Sequence, residues 1–201
     1  MVKFMDNMNS IAVLVLAAGK SSRMKDIKQL LKINNKTLLE TALENGKKIN
    51  PNNVFCVLGA HAEKIKKETS TKNITYIFNN NFEKGLSSSI VCGVNYIAKE
   101  HSNLTSILIL LADQPKIDFQ FLNELVSIYQ KNTTKIVASS YGDKKGVPAI
   151  FPKIYFEKLK LLKGDKGAKE FLNSNNIDVA SINSLKLIDI DTNEDYINFL
   201  K

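Results

Sequence analysis

The sequence predicts an α/β fold with a mainly parallel central sheet, and three observations carry that prediction. Short apolar runs alternate with longer amphipathic segments along the chain, as in successive βαβ units. The run Ile11 to Leu16 is unbroken, apolar and partly β-branched, which fits a strand buried on both faces of a sheet. A second continuous apolar run, Ser106 to Ala112, ends in Asp113, and the carboxyl end of a central strand is where open α/β sheets bind ligands. The 201 residues, 44% hydrophobic and 24% charged, suit one domain (residues 1–201) with a sizeable core.

The elements follow in order. After the first strand and its loop, Asn34-Asn35 reads as a turn. Thr37 then caps a helix to about Ile49, with Glu40 three residues on completing a capping box. Pro51 ends that region. Val54 to Leu58 is a strand stopped by Gly59, Ala62 to Glu68 a short charged helix, and Ile74 to Phe78 a third strand. An asparagine-rich turn from Asn79 leads through Gly85 into a serine-capped helix reaching about Lys99. After the strand Ser106 to Ala112, Pro115 turns the chain into an amphipathic helix, Asp118 to about Gln130, with Phe121, Leu122, Leu125 and Tyr129 on its core face. Lys135 to Tyr141 and Val147 to Phe151 flank a hairpin-like connection, and a helix runs from Ile154 to Leu162. Strands at Ile177 to Ile182 and Leu185 to Ile190 precede a last helix capped by Thr192 with Asp195. Period-two alternation puts Asp189 and Asp191 on one face of that strand end.

The loop after the first strand concentrates charge. Ala17-Ala18-Gly19 allows close approach to the backbone, and Lys20, Arg23, Lys25 and Lys28 follow with only Asp26 opposing them. That pattern suits a phosphate-holding loop, and equally a solvated lysine loop. Gly19-Lys20-Ser21 is not a Walker A motif, since Leu14 stands where its first glycine is required, and the loop's single glycine excludes a G-x-G-x-x-G fingerprint.

Composition narrows the class further. The net charge of +8 comes from scattered lysines, with no basic helix or aromatic-interleaved stripe and a single arginine, Arg23. This argues against nucleic acid as partner and suits a polyanionic small substrate. No apolar run approaches the roughly 18 residues of a membrane span, and MVKFMDNMNS lacks a signal-peptide core. A cytoplasmic location with no membrane partner is expected. Cys56 and Cys92 lack metal-ligand spacing and read as reduced thiols, and His61 and His101 read as structural or solvent-facing.

Several stretches together resemble the MobA-like nucleotidyltransferase family, and most closely its molybdenum cofactor cytidylyltransferases. They are Leu16-Ala17-Ala18-Gly19 through Arg23-Met24 and Lys28-Gln29-Leu30-Leu31, the segment Asn79 to Ser89, Leu111-Ala112-Asp113-Gln114-Pro115, Gly146-Val147-Pro148, Gly164 to Ala168, and Asp189-Ile190-Asp191-Thr192. Departures are Lys25 and Ile27 in place of Gly and Pro, Phe82 in place of Trp, and Asn193 in place of Pro.

The resemblance implies a Rossmann-like, three-layer nucleotidyltransferase fold and a Mg²⁺-dependent transfer of a nucleoside monophosphate to a phosphorylated small-molecule acceptor, with release of pyrophosphate. CTP and molybdopterin cofactor are the implied substrates, and a molybdoenzyme or its maturation chaperone an implied partner. It implies that Leu16, Ala17, Ala18, Gly19, Arg23, Lys28, Asn79, Gly85, Ser88 and Asp113 bind the nucleotide. Arg23 and Lys28 would also act in catalysis, and Asp113 and Asp191 would hold the metal, with Asp189 as fallback. Gly146-Val147-Pro148 would lie near the acceptor, and Lys166 could meet a phosphate or merely sit in a connection between helices. Three other readings remain open: an acceptor such as a sugar phosphate, a non-catalytic nucleotide-binding or cofactor-delivery module, and a basic nucleic-acid-binding protein.

Overall fold

The computed structural model describes residues 10–201, so the reading of Met1 to Asn9 as free of a signal peptide lies outside the described residues. Nine strands and seven α-helices follow in chain order: β1 (Ile11–Ala17), β2 (Lys32–Ile33), β3 (Lys36–Thr37), α1 (Leu38–Ile49), β4 (Val54–Leu58), α2 (Ala62–Glu68), β5 (Thr75–Phe78), α3 (Leu86–Glu100), β6 (Ser106–Leu111), α4 (Phe119–Lys131), β7 (Ile136–Tyr141), β8 (Lys144–Pro152), α5 (Phe156–Leu159), α6 (Lys169–Leu172), β9 (Val179–Asn183) and α7 (Asn193–Leu200). Among the described residues no helix is long and apolar enough to cross a membrane.

Seven strands form one sheet in the order β5-β4-β1-β6-β8-β7-β9. β1 pairs in parallel with β4 and β6, β4 with β5, and β7 with β9, while β8 is antiparallel to both neighbours and so runs against the other six. Side-chain alternation divides β1 between two cores. Ile11, Val13 and Val15 join the cluster under α1 and α4, and Ala12, Leu14 and Leu16 the cluster under α3. Every residue of β1 is buried, which explains why its sequence reads as a continuous apolar run. The result is the expected three-layer α/β fold. Both helices beside β1 press a glycine onto it. A Cβ on Gly46 would fall 2.8 Å from Val13, and one on Gly93 2.6 Å from Leu14.

Local signals explain most boundaries. Asn34 and Asn35 adopt left-handed φ angles of 50° and 67°, closing a two-residue turn between β2 and β3. Thr37 caps α1 with the expected box: its hydroxyl accepts from the Glu40 amide, and the Glu40 carboxylate accepts from the Thr37 amide at 2.9 Å. Thr192 and Asp195 do the same for α7. Thr192→Ala is expected to cost about 1 kcal/mol, read as a fall in Tm of roughly 2–4 °C for a chain of this length. An unchanged melting curve would show that tertiary contacts alone hold the helix.

Four expectations need correction. α3 is not serine-capped: Gly85 is its N-cap, at φ 91° with no side-chain bond, and a Cβ there would lie 2.0 Å from Asp165 Oδ1. The serine hydroxyls serve other partners. Leu185 to Ile190 is no strand, although the outer edge of β9 is free among the described residues. Leu187 and Ile190 pack inward, Lys186 pairs with Asp118, and the Ile190 amide donates to the Asp113 carbonyl at 2.9 Å, which draws the segment to the end of β6. The helix from Ile154 to Leu162 shrinks to a 3₁₀ turn, Lys153–Tyr155, and the single turn α5. β8 starts at Lys144, earlier than expected, and α6 was not expected at all.

Candidate active site

The carboxyl ends of β1 and β6 lie side by side, and the chain leaves β1 through a loop whose shape is set by one buried amide. Gln29 Nε2 donates to the carbonyls of Ala17 and Gly19, each at 3.0 Å, and Gln29 Oε1 accepts from Ser21 Oγ at 3.2 Å. Ser21, at φ 56°, also accepts from the Lys28 amide at 3.0 Å. The two ends of the basic stretch are therefore tied back to β1, while Lys20, Arg23 and Lys25 stay exposed. Inside it lies a cavity of about 230 Å³, lined on this side by Leu16, Ala17, Ala18, Gly19 and Lys28 and on the other by Phe82, Gly85 and Ser89, with Asp113 at the end of β6.

Charge converges at one end of this cavity. Lys28 Nζ lies 2.6 Å from Asp113 Oδ2 and 2.9 Å from Asp191 Oδ1. Arg23 Nη2 approaches Asp191 Oδ1 at 3.5 Å from a largely exposed position. Burial works against the Lys28 charge, but the two carboxylates outweigh it and hold the ammonium's pKa above its ordinary value. Asp113 Oδ1 is buried and has no hydrogen-bond partner. The Ile190–Asp113 backbone bond brings the C-terminal segment to β6, and the Asp191 amide donates to the α7 capping carboxylate of Asp195 at 3.1 Å. Thus two carboxylates 78 positions apart in sequence meet one lysine.

A second cavity, about 290 Å³, shares Leu16, Leu86 and Leu111 with the first and carries Lys144, Lys145, Lys166 and Lys169 with Tyr141 and Asp189. Gln114 Nε2 donates to Tyr141 Oη at 2.7 Å and to Asp189 Oδ1 at 2.8 Å. Burial, then the neighbouring carboxylates of Asp113 and Asp191, raise the Asp189 pKa, and burial raises that of Tyr141. Val147 lines this cavity beside Gly146.

The expected site residues therefore separate into groups. Leu16 to Gly19, Lys28, Gly85 and Asp113 line the first cavity, and Asp191 and Arg23 reach it through Lys28 and each other. Asn79 and Ser88 do not line it. The Asn79 amide donates to Ser88 Oγ and Ser89 Oγ, and the Ser88 hydroxyl bonds the Asn81 and Gly85 carbonyls, so both residues pin the turn to α3. His61, at the start of α2, and His101, packed on Phe55, stand apart from both cavities. Three contributors had no role assigned from sequence: Gln29, Gln114 and Glu83, which pairs at 2.5 Å with Lys20 of the basic loop and ties that loop to the Phe82 turn. A glutamine beside Leu30-Leu31, and another directly after the strand-ending carboxylate, were the available signals.

Known proteins share this fold. The MobA-like NTP transferase domain matches residues 13–179. The purine catabolism protein PucB of Bacillus subtilis (strain 168) is 30% identical over 197 residues, covering 90% of this chain and 91% of that protein. The crystal structure of Rv0371c from Mycobacterium tuberculosis H37Rv in complex with manganese superposes with a TM-score of 0.77 at 25% identity, covering 95% of this chain and 98% of its own. Molybdopterin-guanine dinucleotide biosynthesis protein A from Archaeoglobus fulgidus shares the fold, with a TM-score of 0.66 at 16% identity, covering 93% of this chain and 95% of its own. With its family profile spanning most of the sheet and a relative matched almost end to end, the chain belongs to the MobA-like NTP transferase domain family of nucleotidyltransferases.

Proposed function

We propose that this nucleotidyltransferase transfers CMP from CTP to a phosphorylated acceptor of the molybdopterin cofactor type, releasing pyrophosphate. The observation that carries the reading is the meeting of Lys28, Asp113 and Asp191 at the mouth of a cavity walled by Ala17, Ala18 and Gly19. Transfer brings an anionic acceptor against an anionic α-phosphate, so fixed positive charge is the main requirement. Lys28 and Arg23 supply it beside the loop, and the glycine at position 19 leaves its backbone open to a phosphate, with nothing within 4 Å of where a Cβ would stand. No protein nucleophile is needed.

The carboxylates fit a divalent cation. Asp113 Oδ1 is buried without a partner, and Asp113 and Asp191 offer hard oxygen donors. Among the described residues no cluster of three or more His, Cys, Asp or Glu forms a complete metal cage. Two carboxylates completed by phosphate oxygens and water are the set Mg²⁺ prefers. Bound there, Mg²⁺ supplies charge neutralisation at the phosphate oxygens. The manganese complex of the Mycobacterium relative is consistent with divalent metal use. Asp189, held by Gln114 in the second cavity, belongs on this reading to the acceptor side, with Lys144, Lys145 and Lys169 for the acceptor's phosphate. A molybdoenzyme or its maturation chaperone would receive the product.

Base choice rests on Ala18, buried in the cavity wall at the position where, by the family resemblance, guanine-using members tend to carry glycine. Its methyl takes space from a purine, worth roughly 1–3 kcal/mol. Pyrophosphate release with molybdopterin as acceptor is therefore expected to favour CTP over GTP by about one to two orders of magnitude, and Ala18→Gly to narrow the gap. GTP used equally well by the unmodified protein would end the cytidylyl assignment. No pyrophosphate from any triphosphate would favour a binding module without turnover.

A further inference from the structure

The ammonium of Lys28 stands between the two carboxylates at one end of the cavity where a triphosphate would lie. It is 2.6 Å from Asp113 and 2.9 Å from Asp191, with its side chain only 16% exposed. We propose that Lys28 is a tethered counter-ion that closes the Asp113–Asp191 pair to divalent cations until a triphosphate draws the ammonium away. The inference rests on the reading of those carboxylates as the metal-binding pair.

Three observations support it. First, the positions conflict: a small divalent ion binds carboxylate oxygens at 2.0–2.1 Å, and Lys28 already takes Asp113 Oδ2 and Asp191 Oδ1. An ammonium and a divalent cation drawn to the same two oxygens would be like charges a few ångströms apart in a half-buried site. Second, Lys28 and Arg23 already offset much of the negative charge of Asp113 and Asp191, so the attraction that recruits a metal ion to that pair is weakened. Third, the lysine can move without its backbone moving. Its amide is fixed by Ser21 Oγ at the start of the 3₁₀ turn Lys28–Leu30, while its long stem lines the cavity. Rotation of that stem carries the ammonium from the carboxylates to an anion in the cavity. Nucleotide binding then frees the carboxylates, and metal binding frees the lysine, so each ligand strengthens the other by the same factor.

The test is titration of the full chain with Mn²⁺ alone, followed by the electron paramagnetic resonance of free Mn²⁺, with no nucleotide present. K28Q is expected to bind Mn²⁺ at least about tenfold more tightly than the unmodified protein, and K28M likewise, whereas K28R keeps the site closed. Adding D113N to K28Q should abolish the gain. A non-hydrolysable CTP analogue should raise the Mn²⁺ affinity of the unmodified protein more than that of K28Q. Circular dichroism on each variant confirms folding, and K28M serves if K28Q unfolds. Equal Mn²⁺ affinity in the unmodified protein, K28Q and K28M would overturn the inference, while pyrophosphate release by the unmodified protein would leave the transferase reading standing. A gain in K28Q that survives D113N would instead overturn the metal assignment on which both rest.

Discussion

Asp113→Asn is expected to lower the rate of nucleotide transfer by at least about a hundredfold, the scale of losing one electrostatic stabiliser of the transition state. The asparagine is nearly isosteric, so the end of β6 and the Ile190 amide bond to the residue 113 carbonyl should persist. What disappears is the charge. Lys28 would lose its ionic partner, keeping at most a neutral carbonyl acceptor, and in that orientation the buried Oδ1 position would become an unpartnered amide. Steady-state pyrophosphate release, with circular dichroism to confirm folding, reads the effect, which should fall mainly on kcat. Activity within a few-fold of the unmodified protein, with unchanged metal dependence, would remove Asp113 from the mechanism. Asp191→Asn should act in the same direction.

The second large effect concerns stability. Glu40 Oε2 accepts from the Thr37 amide and hydroxyl, and Oε1 accepts from the amide and hydroxyl of Ser70. Burial alone would raise its pKa, but the hydrogen bonds from Ser70 and Thr37 outweigh burial and pull it from 4.5 to about 2. That depression corresponds to about 3 kcal/mol. The sign is that of a carboxylate favoured in the folded state: the contribution is complete above pH 4.5 and is lost as pH falls toward 2. Glu40→Gln is therefore expected to cost about 3 kcal/mol at neutral pH. Urea unfolding of both proteins should show the gap shrinking through that acid window. A gap that stays constant with pH would assign the loss to packing instead of ionisation.

Much of this was legible because local chemistry dictated it. β1, β4 and β6 are buried on both faces, so they announce themselves as continuous apolar runs, and the two capping boxes fix the starts of α1 and α7. The carboxylate after β6 was legible for the same reason, since a charge cannot continue such a run. The failures share a different cause. Leu185 to Ile190 has the composition of a strand, but its bonds to Asp113 and Asp118 draw it to the end of β6 and away from the free edge of β9. The serines after Gly85 look like caps, yet Ser87 Oγ bonds the Lys163 carbonyl across 76 positions, a partner no local pattern reveals. For Lys28 the phosphate reading stands as a proposal, but its two carboxylate partners, 85 and 163 positions away, were hidden from the sequence. Side-chain destinations set by tertiary contact are invisible to spacing.

The C-terminal segment has a thermodynamic consequence beyond its geometry. Asp191 reaches the site through a seam of side-chain and single backbone bonds around the buried Ile190: the Ile190 amide to Asp113, Gln114 to Asp189, Lys28 and Arg23 to Asp191, the Lys186–Asp118 ion pair, and Tyr196 Oη to the Lys32 carbonyl. Outside that seam the chain from residue 184 to residue 192 pairs with no strand, and Leu185 is 96% exposed. Such a segment can detach in a sub-global opening while the seven-stranded sheet stays folded. The two carboxylates then exist as a pair only in the attached fraction of molecules, and any ligand that bridges them draws its affinity partly from holding the tail in place. Assembly of the site and docking of the tail are one equilibrium.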